Sequence, residues 1–172
     1  MKKQLSIFVC LFVLFAATKV NAQTDKTKRL SPPAKVTETT KSGVTISIDY
    51  SQPSVKGRTI GKEIATYGKI WRTGANEATV FEVNKDVKVN GKTLAAGKYG
   101  LYSIPGEKEW TIIFNKTWDQ WGTKYNEADD ALRIKVNATT AKEATEKMTF
   151  KIEKSGEVKL MWGNIVVPFM VK

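Results

Sequence analysis

Apolar and polar side chains alternate with a period of two through most of the sequence after residue 43. In the first such run, Val44, Ile46, Ile48 and Tyr50 are separated by polar residues. Successive side chains of a β-strand point to opposite faces of a sheet, so this pattern predicts strands with one buried face. Helical periodicity is almost absent, which predicts an all-β chain. The residues expected in the core are Ile46, Ile48, Val87, Val89, Ile112, Phe114, Ile134, Phe150 and Leu160, together with Trp110 and Trp162.

Turn-forming pairs separate these runs. Asn90-Gly91 suits a type I′ hairpin because both residue types tolerate positive φ, and Pro105-Gly106 and Ser155-Gly156 end two further runs. About nine short strands, with turns roughly 8–12 residues apart, are typical of a single antiparallel β-sandwich, either jelly-roll-like or a partly open barrel. Residues 139–147 are rich in threonine and lack an apolar stripe, which indicates an excursion between strands.

Residues 1–22 have the features of a secretory signal peptide. Lys2 and Lys3 provide a positive start, an uncharged apolar run follows, and Val20-Asn21-Ala22 offers short side chains at a cleavage site. The apolar run is shorter than the ~20 residues that a membrane-spanning helix needs. We therefore expect an exported protein, in the periplasm or outside the cell, with no transmembrane segment after the signal is removed.

The sequence between the signal and the first alternating run predicts a flexible tail. Residues 23–43 contain Ser31-Pro32-Pro33, which disfavours regular structure, and a Thr, Lys and Ser composition that offers little apolar surface to bury. The β-sandwich domain is then expected to span residues 44–172.

Missing residue types narrow the chemistry. Histidine is absent, and the one cysteine, Cys10, lies within the predicted signal peptide. Catalytic triads based on imidazole, and His or Cys sites for zinc, copper or haem, need these residues and are excluded. Carboxylate chemistry, a lysine or tyrosine base and Ca²⁺ held by oxygen ligands remain possible, but we assign no catalytic residue, cofactor or metal. The formal net charge is +11, but outside the tail the two signs are interleaved, which argues against a specific nucleic-acid partner. The acids of residues 119–130 lack calcium-loop spacing and are interpreted as a solvated loop.

Four motifs occur in order along the chain. They are YSQP at 50–53 with KGR at 56–58, YGKIWRTGANEAT at 67–79, AGKYGLYSIP at 96–105 and WTIIFN at 110–115. Together they resemble DUF2911, a family of secreted bacterial proteins common in Bacteroidetes, and the resemblance covers roughly residues 30–172. Thr66 stands where many members have a proline. The resemblance implies an exported, mostly β protein and supplies no activity or catalytic residues.

The segment of residues 58–79, here called the crossing, interrupts the strand pattern and carries the densest polar chemistry. Arg58 and Arg72 suit a bidentate interaction with a carboxylate, phosphate or sulfate, and Trp71 suits stacking on a sugar ring or base. The remaining candidate ligand-binding residues of the crossing are Thr73, Asn76 and Glu77. The alternative is a scaffold in which Trp71 plugs one end of the sandwich, Arg72 pairs with Glu77 and Asn76 satisfies loop carbonyls.

A second candidate surface contains Trp118 and Trp121. These two tryptophans lie three residues apart in a polar loop, and exposed aromatic pairs suit carbohydrate stacking. The alternative is a local lid packed on the rim of the sandwich. We expect them to form a second wall beside the crossing.

These features favour a non-catalytic binding module for a polar or anionic ligand such as a glycan. Two alternatives remain open. A carboxylate-based hydrolase of the cell envelope would need Glu77 to face another acid, Asp49 or Asp119, at roughly 5–9.5 Å. A structural or assembly protein would use the open sheet edges and the apolar last strand.

Overall fold

The computed structural model describes residues 25–172, so the predicted signal peptide lies outside the described residues. Two short 3-10 turns, Lys26–Lys28 and Glu127–Asp129, accompany ten strands in this part of the chain. The strands are β1 (Pro33–Thr39), β2 (Thr45–Ser51), β3 (Thr79–Val83), β4 (Val87–Val89), β5 (Lys92–Leu94), β6 (Gly97–Ile104), β7 (Glu109–Asn115), β8 (Asp130–Asn137), β9 (Thr139–Ile152) and β10 (Glu157–Met170). No helix within residues 25–172 has the length and apolar character needed to cross a membrane.

The strands form one large antiparallel sheet and a second, smaller layer. The large sheet has the order β1-β2-β3-β6-β7-β8, and the second layer contains the β9–β10 and β4–β5 hairpins. A backbone bridge between Val89 and Val171 joins these two hairpins. The sheets remain open and do not close into a barrel. The prediction of an all-β, antiparallel fold is confirmed, with ten strands where about nine were expected.

The core lies between the two layers. Phe81 and Phe114 of the large sheet pack edge to face at 5.0 Å, and Phe169 of β10 contacts both rings. Edge-to-face contacts match the positive edge of one ring to the negative face of the other. Every residue expected in the core from the alternation is buried, including Trp110 and Trp162.

The predicted hairpin at Asn90-Gly91 is confirmed. β4 pairs antiparallel with β5, with Val89 opposite Lys92. Asn90 and Gly91 have φ values of 46° and 84°, the left-handed region that a type I′ turn requires at both central positions.

The predicted flexible tail is wrong for residues 33–39, which form β1. This strand pairs with β2 along its whole length, from Pro33 opposite Ser51 to Thr39 opposite Thr45. Pro33 is tolerated because it is the first residue of an edge strand, where its missing N–H breaks no ladder. Ala34 and Val36 are packed against the core, so even the few apolar side chains of this segment contribute to burial.

The predicted excursion at residues 139–147 is also wrong, because these residues form the first part of β9. β9 and β10 make a long ribbon whose backbone pairing continues beyond the core, with register shifts on both sides of Gly163. Backbone hydrogen bonds need no apolar stripe, so a threonine-rich segment with β propensity extends the ribbon into solvent. Burial on β9 begins only at Met148.

The outer face of the large sheet is covered over only part of its width. Residues 116–129, between β7 and β8, fold back over it and bury a small second cluster around Tyr102 and Ile113. Gly100 permits this approach, since a Cβ there would lie 3.0 Å from the Thr117 carbonyl oxygen and 3.5 Å from the Trp118 Cα. The outer face of β1–β3 is left open beside this loop.

Candidate functional site

A cleft of about 610 Å³ lies over the outer face of β1, β2 and the start of β3, and we call it the aromatic cleft. The loop carrying Trp118 and Trp121 walls it on one side. Its charged lining residues have both signs, with Lys26 and Arg29 opposed by three carboxylates. The complete lining is Lys26, Arg29, Pro33, Ala34, Asp49, Tyr50, Ser51, Glu77, Ala78, Val80, Trp118, Asp119, Gln120 and Trp121.

Glu77 is the most strongly anchored charge of the cleft. Arg29 donates to both of its oxygens, at 3.0 and 2.7 Å, and the Lys26 ammonium lies 3.1 Å from Oε1. Partial burial disfavours the charged form, but the bonds from Arg29 and Lys26 outweigh it and lower the pKa of the Glu77 carboxyl to about 2. The carboxylate is therefore ionised at neutral pH and tied to the N-terminal segment.

Asn76 also fastens the N-terminal segment. Its side-chain amide donates a hydrogen bond to the Ser31 carbonyl oxygen at 3.1 Å. This agrees with the scaffold interpretation, in which Asn76 satisfies loop carbonyls. Asn76 has a φ of 61°, in the left-handed region that asparagine adopts more readily than most residues. Asn76 and Glu77 therefore hold residues 26–31 at the end of the cleft.

The two loop tryptophans differ in exposure. Trp118 is half-buried, and the Lys98 ammonium lies 5.0 Å from its ring centroid. Trp121 is 47% exposed, although its backbone bridges to Glu77. Gln120, between them, donates to the Tyr102 hydroxyl at 3.1 Å and to the Thr117 carbonyl oxygen. Trp118 belongs in part to the loop's own packing, while Trp121 presents a free aromatic surface.

Trp71 and Thr73 lie in the sandwich rather than in the aromatic cleft. The Trp71 ring stacks on Trp162 with 5.3 Å between centroids and meets Trp110 edge to face at 6.1 Å. Thr73 is fully buried, and its hydroxyl donates to the Ser103 hydroxyl at 2.9 Å. For Trp71 the structure agrees with the scaffold interpretation, and Thr73, for which that interpretation gave no role, is also part of the packed interior.

The guanidinium groups of Arg58 and Arg72 differ in their hydrogen-bond partners. Arg58 donates to the carbonyl oxygens of Ser54 and Val55, at 2.6 and 3.1 Å, and so closes its own turn. Arg72 does not pair with Glu77, which corrects that part of the scaffold interpretation. Its Nε is buried and has no hydrogen-bond partner among the residues that the structure describes.

Two smaller cavities flank Arg72. We call the larger one, of about 360 Å³, the Arg72 cavity; it is lined by Ile70, Trp71, Arg72, Gly122, Thr123 and Tyr125. The other, of about 240 Å³, has Arg58, Arg72 and Trp71 among its lining residues. Neither shares a lining residue with the aromatic cleft. The residues expected from the sequence to share one surface therefore line separate cavities.

Asp130, the first residue of β8, is the centre of a hydrogen-bond network. Asp130 accepts hydrogen bonds from Arg133 at 2.6 Å, Tyr125 at 2.7 Å and Asn115 at 2.8 Å. Burial, the bond to Asp130 and its charge raise the pKa of Tyr125 to about 12, against the opposing effect of Arg133. Within residues 25–172 no three His, Cys, Asp or Glu side chains converge in a way that suits a metal ion.

The participation of Lys26 and Arg29 in the cleft was not expected from the sequence, whereas Asp49 was expected near Glu77 only in the hydrolase alternative. Lys26 and Arg29 lie in the segment expected to be a tail, and their only sequence signal is an excess of cations there. Asp49 is an outward-facing residue of β2, paired with Lys35 of β1 at 3.0 Å. Strand order places Asp49 in the cleft with Trp118 and Trp121, and the contacts of the N-terminal segment with Asn76 and Glu77 place Lys26 and Arg29 there.

The fold and its surface define an all-β sandwich that carries an open, aromatic-walled cleft on the outer face of its larger sheet. The chain belongs to the DUF2911 family, described as proteins of unknown function, whose sequence model matches residues 31–171. No curated protein and no solved structure gives a significant match to the chain. The resemblance seen in the sequence motifs is thus confirmed over nearly the whole described chain.

Proposed function

We propose that this protein is an exported, non-catalytic binding module that takes a polar ligand, a glycan, into the aromatic cleft. The observation that carries the proposal is the 47% exposure of Trp121 on the wall of a cleft of about 610 Å³. That volume lies within the roughly 300–1,000 Å³ typical of small-molecule sites. A large aromatic ring that is open to solvent leaves apolar surface in contact with water, and a stacked sugar ring would cover that surface.

The polar lining of the cleft suits the hydroxyl groups of a sugar. Asp49, which is partly buried on β2, and Asp119, which is exposed in the loop, offer carboxylate acceptors. Lys26 and Arg29 supply donors, although the Glu77 carboxylate already engages them. Because the cleft contains both signs of charge in close proximity, it favours a neutral, hydroxyl-rich ligand over a highly charged one.

A carboxylate-based hydrolase is the second candidate, because Glu77, Asp49 and Asp119 line the same cleft. A general acid must hold a proton near the working pH. Glu77, whose pKa is lowered to about 2, does not meet this requirement at neutral pH. The proton donor would have to be Asp49, which is paired with Lys35, or Asp119. We favour binding because of the exposed Trp121 ring.

Export is part of the proposal and rests on residues 1–22. Cleavage after Ala22 would leave a chain beginning at Gln23, which keeps Lys26 and Arg29 and therefore the cleft. Intact mass of the protein recovered from periplasm or medium tests this point. A full-length chain starting at Met1 in the cytosol would contradict it.

Titration with neutral oligosaccharides tests the binding function. Hexasaccharides of cellulose, xylan, mannan and starch are added to the wild-type protein and to Trp121→Ala, and binding is followed by calorimetry. We expect saturable binding to at least one sugar and a loss of roughly two- to tenfold in affinity on removal of the ring, from stacking of about 0.5–1.5 kcal/mol.

Tyr67→Ala is the matched control, because Tyr67 is an exposed aromatic residue, 36% exposed, that does not line the cleft. It should bind like the wild type. Equal affinity of Trp121→Ala and wild type, or no saturable binding across the four sugars, would refute the proposal. Release of reducing ends from any of them would move the function to the hydrolase.

A further inference from the structure

Arg72 combines a charged guanidinium with a buried, unsatisfied donor. Its Nε is buried without a partner, and none of the ion pairs among the described residues includes it. The other arginines of the described chain have partners within it: Arg29 binds Glu77, Arg133 binds Asp130 and Arg58 binds two carbonyl oxygens. A buried donor left unpaired costs free energy, so Arg72 is the one arginine here whose position the internal contacts do not justify.

The side chain of Arg72 is held in place by its neighbours in the chain. Trp71 exchanges two backbone hydrogen bonds of 2.8 Å with Ser103, and its ring is stacked on Trp162. Thr73 is fully buried and has a φ of 49°, an uncommon conformation for a β-branched residue. Thr79 donates to the Thr73 carbonyl oxygen at 2.9 Å and helps to maintain it. Strain of this kind persists where the surrounding structure enforces it and is concentrated at functional sites.

The opposite side of the Arg72 stem is supported by Gly122. A Cβ on Gly122 would lie 2.2 Å from the Arg72 Cδ, so the close contact exists only because residue 122 is glycine. The Gly122 N–H also donates to the Asn76 carbonyl oxygen at 3.1 Å, which fixes the backbone against which Arg72 packs. The guanidinium is thus positioned before any ligand arrives, and preorganisation of this kind lowers the entropic cost of binding.

The residues that line the Arg72 cavity include one positive charge and no acidic side chain. Its lining contains Arg72, the exposed Thr123 and the apolar or aromatic residues Ile70, Trp71 and Tyr125. Ile70 is 39% exposed, which leaves apolar surface at the mouth of the cavity. No Asp or Glu lines this cavity, in contrast to the aromatic cleft.

We propose that Arg72 anchors a second binding site, which takes an oxyanion group, a carboxylate or a phosphate, into the Arg72 cavity. The planar guanidinium matches both groups with two parallel N–H donors. The apolar flank favours an anion carried on a flat apolar body over a free inorganic ion. The site is separate from the aromatic cleft and does not depend on glycan binding there.

The test observes the Nε–H signal of Arg72 by ¹⁵N-resolved NMR of the mature chain. Sodium benzoate, sodium acetate and sodium phosphate are titrated separately at constant ionic strength, with sodium chloride as the blank. We expect a saturable shift of the Arg72 signal with an oxyanion and none with chloride. Tighter binding of benzoate than of acetate would support an organic carboxylate, and tighter binding of phosphate than of both would support a phosphate group.

Variants establish which residue holds the anion. Arg72→Gln should weaken binding by roughly ten- to a hundredfold, since charge-assisted bidentate hydrogen bonds are lost. Arg72→Lys keeps the charge but loses the planar pair of donors, and should fall between Arg72→Gln and wild type. Lys69→Gln is the matched control, because it removes one positive charge from an exposed neighbour that lines neither cavity.

Stability provides a second readout. Because no internal partner is lost, the thermal midpoint of Arg72→Gln without anion should equal or exceed that of the wild type, and the stabilisation by benzoate should disappear. A wild-type signal that does not move with any oxyanion, or equal anion binding by Arg72→Gln, would overturn the proposal. Trp121→Ala should leave anion binding unchanged, so failure of the glycan proposal and failure of this one are distinguishable.

Discussion

The aromatic cleft and the Arg72 cavity are lined by residues that are close in sequence, but the two sites differ in whether their charged side chains are paired. In the cleft, Glu77 is matched by Arg29 and Lys26, and Asp49 is matched by Lys35. In the cavity, Arg72 has no counter-charge from the described residues that line it. A charge that is paired within the protein stabilises the fold, and the neutral groups beside it remain available to a ligand. A charge that is held in place without an internal counter-charge is better explained by an external ligand of opposite charge.

The same comparison applies to the aromatic residues. Trp71, in the cavity wall, is packed on Trp162 and Trp110, whereas Trp121, in the cleft wall, is 47% exposed. The Trp71 ring is therefore mainly a structural element that also lines the Arg72 cavity. The Trp121 ring contributes little to the fold and is available for a ligand.

The largest expected effect separates these two tryptophans. Trp71→Ala should lower the free energy of unfolding by about 3 kcal/mol or more, because it removes two aromatic contacts and leaves a cavity. Trp121→Ala should change it by less than about 0.5 kcal/mol. Urea unfolding followed by circular dichroism measures both. Similar losses in the two variants would break the distinction between scaffold ring and free ring.

A change at Gly122 should affect the contact between the two regions. Gly122→Ala places a Cβ 2.2 Å from the Arg72 Cδ and 2.9 Å from the Asn76 carbonyl oxygen, and such overpacking costs about 1–3 kcal/mol. Adding Arg72→Ala removes the Cδ and should recover part of the loss. A double-mutant cycle of unfolding free energies measures this coupling. Strictly additive effects would show that the two side chains do not compete for the same space.

The smallest expected effect concerns the matched charge of the cleft. Glu77→Gln should cost about 0.5–1 kcal/mol at neutral pH, because 39% of the Glu77 side chain is exposed and water screens its ion pairs. The pKa of Glu77 is about 2 in the folded protein against an ordinary value of 4.5. Its stabilising contribution is therefore fully present above the ordinary value and is lost as the pH falls toward about 2.

The measurement for Glu77 is the difference in unfolding free energy between wild type and Glu77→Gln at neutral pH and near pH 2. The difference should shrink toward zero at the acid end. Glu143→Gln, an exposed change on β9, is the control and should show no such dependence. A difference that stays constant across this range would show that Glu77 is not held as a paired carboxylate.

Much of the fold could be predicted from the sequence because alternation is a local property. A residue such as Ile48 or Ile134 is expected to face the core because its strand neighbours are polar, and this is visible without knowing which strands pair. The Asn90-Gly91 hairpin is equally local. The segment at residues 33–39 was missed because an edge strand needs one partner and few buried side chains, so its composition resembles that of a linker.

The sequence by itself determined an all-β chain, its core residues, its family and the residue types available for binding. Only the tertiary structure decided which charged side chains are paired with an opposite charge. Arg29 meets Glu77 across 48 positions of sequence, and Arg72, five residues from Glu77, does not meet it at all. The physical reason is that an ion pair forms where strand order and loop path bring two side chains together, and sequence distance contains no such information.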